Sequence, residues 1–332
     1  MSSSIDRRRM RGRGAPVVPA RPARPARATP RGQASQRAGH RRWEGMLPYL
    51  LILPALGFML AFIYWPLLDS AYLSTLDWNL ISPVRTFVGG QNYAVLWADP
   101  DFHQALGVTA LYLLALVPVQ VILPLALALL LWPVRRARAQ GAYRAVLFTP
   151  TVVPFAAAAG VWFWIFDPTQ GVLNQALAAW GGRGADWLGS PTLAPWCVVA
   201  VAAWQTLGFN LLLYLAALEA VPPQYVEAAA LDGAGAWAAL RHVRLPLITP
   251  TIFFVLVTTV IFVNDDVFGA INILTDSGPF GHTINLLYYL YRQGFRFLQT
   301  GQASAVAVLI TVAVMALTWL QFRFVEGRVH YG

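Results

Sequence analysis

The residues best placed to do chemistry are polar side chains set inside long apolar runs. Asn264, Asp265 and Asp266 interrupt one run, Trp204, Gln205, Thr206 and Asn210 lie in a second, and Gln120 sits in a third. A carboxylate or amide at membrane depth is costly unless it pairs, lines water or binds something. Each position therefore marks a place to hydrogen-bond a hydroxylated solute, to hold a proton or cation, or to tie one helix to another. Thr206 and Asn210 are four residues apart and share a helical face. Gly208 between them lets a neighbouring backbone approach closely.

Groups for covalent or acid–base chemistry are not arranged for it. His40, His103, His242, His282 and His330 lie in separate loops and tails, with no metal-like spacing and no paired base and nucleophile. Cys197, the single cysteine, reads as a small core residue at the edge of an apolar run. All 24 basic residues are arginine. Without lysine the chain cannot supply the group that reaches the β and γ phosphates in a P-loop. We expect no catalytic, cofactor-binding or metal-ligating residue here, and any ATP and Mg would be held by another polypeptide.

The elements that position the polar residues must be membrane helices. Hydrophobic residues make up 57% of the 332 and charged ones 12%, against about 25% charged in a soluble domain. Six runs approach the ~20 residues needed to cross the hydrocarbon core. They are Met46–Leu67, Ala105–Trp132, Ala145–Phe166, Cys197–Ala217, Leu247 to about Val267, and Ala303–Phe322. Pro54, Pro118, Pro124 and Pro154 fall inside them, which neighbouring helices accommodate by satisfying the freed backbone groups. The fold class expected is all-α, a polytopic membrane protein with six transmembrane helices over residues 46–322. The aromatic groups Trp162, Phe163 and Trp164, and Tyr288, Tyr289 and Tyr291, fall near predicted water boundaries and read as interface anchors.

Arginine sets the orientation, because positively charged loops stay cytoplasmic. With the N-terminus inside, the inner segments hold 20 arginines and the outer loops only Arg85, Arg183, Arg292 and Arg296. Omitting the first 45 residues leaves eight against four. Both termini are expected in the cytoplasm, with residues 323–332 a short C-terminal tail. Residues 1–45 carry twelve arginines among Pro, Ala, Gly and Ser, and almost no bulky apolar side chains. Such a stretch buries too little surface to offset ordering entropy and reads as a disordered tail held against anionic lipid, not as a nucleic-acid arm.

Between the fourth and fifth runs lies Glu227–Pro246, EAAALDGAGAWAALRHVRLP. Pro222 and Pro223 suit a helix's first turn, Glu227 is placed to favour the positive end of the helix dipole, and Asp232-Gly233 is a stop. A second helical piece, Ala234 to Arg244, puts Trp237, Leu240 and Val243 on one face before Leu245-Pro246 ends it. The expectation is two short helices turned at Gly233, within a loop spanning 218–246.

This segment resembles the EAA loop of the inner-membrane permease subunits of binding-protein-dependent ABC importers. Glu227, Ala228, Ala229, Asp232, Gly233, Ala234, Leu245 and Pro246 all match that pattern. Further segments resemble the carbohydrate and glycerol-3-phosphate branch of the family. They are Phe87–Tyr93 with Asp99–Phe102, Leu274–Pro279 with Thr283 and Tyr291–Phe295, and the tail Gln321–Tyr331. Ser277 stands where the family usually has a second glycine. The resemblance runs from about Trp43 to the C-terminus.

The resemblance implies a type I importer permease fold in the bacterial inner membrane. The implied role is the transmembrane subunit of an ATP-driven importer for a sugar, polyol or glycerol-3-phosphate-like solute. A periplasmic or extracellular binding protein would deliver the solute, a second homologous permease would complete the path, and an ATPase dimer would seat on the EAA loops. The matching loop residues are thereby implied in coupling. Gln120, Trp204, Gln205, Asn210, Asn264, Asp265 and Asp266 are the candidates for the path, with contacts between helices as the competing explanation. The residues alone also allow an ion-driven secondary transporter with Asp265 and Asp266 as its sites.

Overall fold

The computed structural model describes residues 48–134, 137–276 and 278–325. The expected tail over 1–45, Arg135, Arg136, Ser277 and the chain from 326 lie outside the described residues. The chain divides into two compact units, one ending at Phe62 and the other beginning at Ile63. Helix α1 (Pro48–Leu73) carries a π turn at Leu60–Tyr64. A two-residue hairpin follows, β1 (Leu76–Asp77) antiparallel to β2 (Thr86–Phe87), with Leu76 opposite Phe87. This hairpin is the one departure from an all-α fold among the described residues.

Next come α2 (Gln91–Ala98), α3 (Pro100–Leu131), α4 (Ala137–Val152), α5 (Phe155–Ile165), α6 (Val172–Ala179) and α7 (Ala194–Ala220). The inter-span loop holds α8 (Pro223–Leu231), α9 (Ala236–Ala239), a π turn Leu240–Arg244 and α10 (Leu245–Leu247). Then follow α11 (Thr249–Thr275), α12 (Leu286–Tyr291) and α13 (Thr300–Val325).

Five helices, α1, α3, α7, α11 and α13, are long and apolar enough to cross a membrane singly. They run past the expected limits at one or both ends. Helix α11 continues through Asn264, Asp265 and Asp266 to Thr275, because a polar side chain does not disturb an internally bonded helical backbone.

The third expected span, Ala145–Phe166, is not one rod. Helices α4 and α5 meet at an angle of 99°. Pro154 caps α5 with an extended backbone, ψ 130°. It lacks an N–H and also restricts Val153 before it, so the ladder stops there. At ~1.5 Å per residue, α5 reaches only about 16 Å, half the hydrocarbon thickness. Pro118 and Pro124, by contrast, lie inside unbroken α3.

Helix α7 is the hub, with 56% of its most apolar window buried against 22% for α3 and 33% for α11. Lipid tails are as apolar as leucine, so close packing rather than expulsion of water holds such helices together. Small residues allow it: Ala202 and Ala203 are buried, and Gly208 sits where α7 crosses α4. A methyl group at Gly208 would collide with the Leu147 carbonyl oxygen and come within 2.7 Å of the Phe148 Cα. Thr151 Oγ1 donates to the Gln205 carbonyl at 2.9 Å in the same crossing.

The buried apolar residues form two clusters. One gathers Tyr112, Leu116, Val201, Val263, Val267 and Tyr289. The other, nearer the inter-span loop, gathers Val121, Leu211, Tyr214, Leu215, Ile248 and Val255.

At the far end from that loop, segment 278–299 is stitched to the start of α3. Asp99 caps α3 by accepting from the Asp101 N–H at 2.9 Å, and accepts the Tyr289 hydroxyl at 2.5 Å. Gln293 donates to the Tyr289 oxygen at 2.8 Å, and Arg292 pairs with Asp101 at 2.9 Å. Thr109 accepts the Leu286 N–H, and Tyr112 donates to the Thr283 carbonyl. Tyr288 and Tyr289 are wholly buried, so they are bonded core residues and not the interface anchors expected of them. Asp276 takes the left-handed conformation at the end of α11, φ 42°. The Arg296 guanidinium, and then the Tyr288 hydroxyl, hold its carboxyl below the usual range. That contribution is present above the ordinary carboxylate range and is lost as pH falls through the lowered value.

Three substitutions test this packing. Gly208→Ala is expected to destabilise by about 1–3 kcal/mol, an overpacking cost. Gly160→Ala, with nothing within 4 Å of the added methyl, is expected to be neutral or stabilising by about 0.5–1 kcal/mol; thermal unfolding in detergent compares the pair. Tyr289→Phe is expected to cost about 1–3 kcal/mol by leaving Asp99 and Gln293 without their shared hydroxyl, read in the same assay.

Candidate functional site

The seam between the two apolar clusters is where the polar residues collect. Gln120 falls between Leu116 and Val121 on α3, Asn210 immediately before Leu211 on α7, and Asp266 immediately before Val267 on α11. They are bonded in a line: Gln120 Nε2 donates to Asp266 Oδ2 at 3.3 Å, and Asn210 Nδ2 donates to the Gln120 carbonyl at 3.0 Å. Thr206, Thr258 and Thr259 join them around a cavity of about 250 Å³, which Phe209, Phe254 and Phe262 complete. Three helices thus contribute hydrogen-bonding groups to one hollow at the waist of the bundle. Such a mixture of apolar wall and few convergent polar groups suits a small polar solute.

Not all the expected residues reach it. Asn264, Asp265 and Asp266 are consecutive, so a helix turns them about 100° apart. Only Asp266 lines the cavity; Asp265 is exposed, and Asn264 receives the Asn285 amide at 3.2 Å. Trp204 and Gln205 belong instead to the crossing with α4 and α5. Trp204 meets Trp162 edge-on at 5.5 Å, and the Gln205 amide reaches the Val153 carbonyl at the bend. Thr206 and Asn210 do share a face, as their spacing implied. Sequence reasoning passed over Thr258 and Thr259, which blend into a β-branched apolar run. Thr259 lies seven residues, two helical turns, before Asp266, and that spacing was the signal available.

The inter-span loop is a second candidate. Helix α8 starts at Pro223, and Gly233 follows its end with φ 84°, a value few side chains tolerate. Two expectations need correction. Glu227 is the fifth residue of α8, beyond the first turn, where the dipole's positive end has faded. Pro246 does not end the second helical piece, which runs through α10 to Leu247 and breaks at Ile248. Proline is accommodated there because it directly follows the π turn, where the Leu245 N–H bonds back five residues to the Leu240 carbonyl and the regular four-residue ladder is already interrupted.

The loop presents apolar side chains to solvent: Leu231 is 91% exposed and Trp237 70%. Its far end is tied back to the bundle, with the Arg244 guanidinium 4.0 Å from the centre of the Trp132 ring at the end of α3. Beside this contact, a hollow of about 350 Å³ separates α8 from the ends of α3 and α7, with Glu219 and Glu227 on its wall. Arg144 on α4 pairs with Glu219 on α7.

Residues 112–331 match the protein family described as "Binding-protein-dependent transport system inner membrane component". The chain is 36% identical over 287 residues to the sn-glycerol-3-phosphate transport system permease protein UgpA of Agrobacterium fabrum, covering 86% of this chain and 97% of that one. It is 34% identical to the protein of the same name in Yersinia pestis, covering 86% and 96%. Its fold is shared by a solved bacterial ABC transporter involved in the import of the acidic polysaccharide alginate. That match has a TM-score of 0.73 at 24% identity, covering 85% of this chain and 97% of the other. With its apolar spans, polar waist and EAA-patterned loop, this multi-pass chain belongs to the inner-membrane permease subunits of binding-protein-dependent ABC importers.

Proposed function

We propose that this permease translocates a sugar, polyol or glycerol-3-phosphate-like solute through a path lined by Gln120, Asn210 and Asp266, driven by ATP bound to a separate ATPase dimer. A second, homologous permease closes the other side of the path, and the binding protein delivers solute at the end where Asp99 and Tyr289 join. Both termini and the 218–246 loop lie in the cytoplasm, in line with the arginine distribution.

One observation carries the coupling assignment. The loop is a turned pair of helices, reversed at Gly233, that holds Leu231 and Trp237 out into water while Arg244 and Leu245 bind it to the bundle. Exposed apolar side chains on a rigid, anchored element suit a protein partner that covers them. Glu227, Ala228, Ala229, Asp232, Gly233, Ala234, Leu245 and Pro246 build and seat that element. When ATP closes the ATPase pair, the loop moves with it, and α10 and the start of α11 pass the displacement to the helix that carries Asp266. The solute itself is chemically unchanged.

Gly233→Val is expected to insert and express normally yet lose most ATP-dependent uptake, because a β-branched residue resists φ 84°. Uptake into vesicles with the proton gradient collapsed is the decisive measurement. It persists with ATP in the wild type and fails in the variant. Normal uptake by Gly233→Val removes the coupling assignment, and wild-type uptake that needs the gradient and not ATP returns the protein to the ion-driven class.

A further inference from the structure

The hydrogen-bond inventory of the waist cavity limits what can enter it. Gln120 spends one amide N–H on Asp266, and Asn210 spends one on a backbone carbonyl. Both amide orientations are fixed by their partners, since a carboxylate and a carbonyl only accept. Thr206 donates back to the Ala202 carbonyl at 3.1 Å, and Thr258 to the Phe254 carbonyl at 2.9 Å. Such back-bonded hydroxyls offer only lone pairs to the cavity. What remains is mostly accepting: Asp266 Oδ1, the amide oxygens of Gln120 and Asn210, and the oxygens of Thr206 and Thr258. Against these stand one further N–H on each amide and the Thr259 hydroxyl, which can donate or accept.

Cationic groups are missing at this depth. The sequence has no lysine, and no arginine occurs in residues 100–131, 194–220 or 249–275, which supply every polar group of the cavity. A phosphoryl or carboxylate group also only accepts hydrogen bonds, and it seeks arginine forks, ammonium groups or clustered backbone N–H groups. In this cavity it would find only neutral donors, two amide N–H groups and the Thr259 hydroxyl, set against a carboxylate and a larger number of oxygen lone pairs. Hydroxyl groups are the complementary ligands: each donates to an oxygen here and can accept from the spare amide N–H. Phe209, Phe254 and Phe262 offer apolar faces to the carbon skeleton between such hydroxyls.

We infer that the part of the solute read by this chain is an uncharged, hydroxyl-bearing one, with Asp266 as its principal acceptor and Gln120 as the residue that holds the Asp266 carboxylate in place. Any anionic group on the solute is held outside this cavity. The inference rests on the proposed path and deepens it, since it names the chemistry that the path selects.

The test uses the whole importer in proteoliposomes, with binding protein outside and ATP inside. Probes are neutral polyols and saccharides of three to twelve carbons, each beside its phosphate ester where one exists, sn-glycerol 3-phosphate included. Asp266→Asn keeps the shape but loses the charge, and Asp266→Glu keeps the acceptor. We expect the wild type to take up hydroxylated probes, Asp266→Asn to raise the half-saturating concentration at least tenfold, and Asp266→Glu to stay within about threefold of the wild type. Gln120→Leu is expected to shift the same quantity in the same direction by a smaller factor. A phosphate ester whose uptake weakens in Asp266→Asn agrees with recognition through its hydroxyl end.

Three results overturn the inference: a wild type that takes up no hydroxylated probe, an Asp266→Asn variant matching the wild type at equal incorporation, or one that carries the phosphate ester better. Omitting ATP tests the underlying reading separately. Uptake that continues without ATP sinks the ATP-driven importer while the Asp266 comparison still stands.

Discussion

A polar group in hydrocarbon has no water to bond to, so it must find a partner within the protein. That constraint explains the waist of this bundle. Gln120, Asn210 and Asp266 come from three helices, and their bonds to one another bring α3, α7 and α11 to one place. The apolar clusters on either side have no directional preference of their own. They pack tightly because alanine and glycine let backbones approach, but the polar line between them fixes which residues face each other. The same hydrogen-bonding groups that set the register therefore also shape the hollow.

The two ends of the molecule follow different physics. At the end bearing Asp99 and Tyr289, charged and hydroxyl groups about 190 residues apart in sequence are bonded in a continuous network. Several of its members are buried, which makes it stiff. At the loop end, the partly exposed Arg144–Glu219 ion pair and the Arg244–Trp132 contact border a hollow of about 350 Å³. Packing is more open at this end, since the hollow separates α8 from the ends of α3 and α7.

Much of this was legible in the sequence, and the failures have physical reasons. Five spans and the turn at Gly233 could be read because hydrocarbon thickness and positive φ impose hard requirements on residue type. Gln120, Asn210 and Asp266 stood out as polar residues in apolar runs, yet nothing local separated them from Gln205 and Asp265. Which face of a helix meets which neighbour is decided by packing across the whole bundle. Thr258 and Thr259 stayed hidden because threonine is β-branched and, as Thr258 shows, can satisfy its own hydroxyl within a helix. Pro154 broke its helix while Pro118 and Pro124 did not, and the residue type is the same in each case. Tyr288 and Tyr289 carried the composition of an interface belt, but the Asp99 carboxylate that receives the Tyr289 hydroxyl lies 190 residues away in sequence.

The bend between α4 and α5 has a mechanical meaning. A straight rod delivers axial thrust from one end to the other, whereas one folded through 99° converts thrust into sideways load at the elbow. The Arg144–Glu219 pair and the Thr151–Gln205 bond both fasten α4 to α7 on the near side of that elbow, so neither strap holds the half-length helix beyond it.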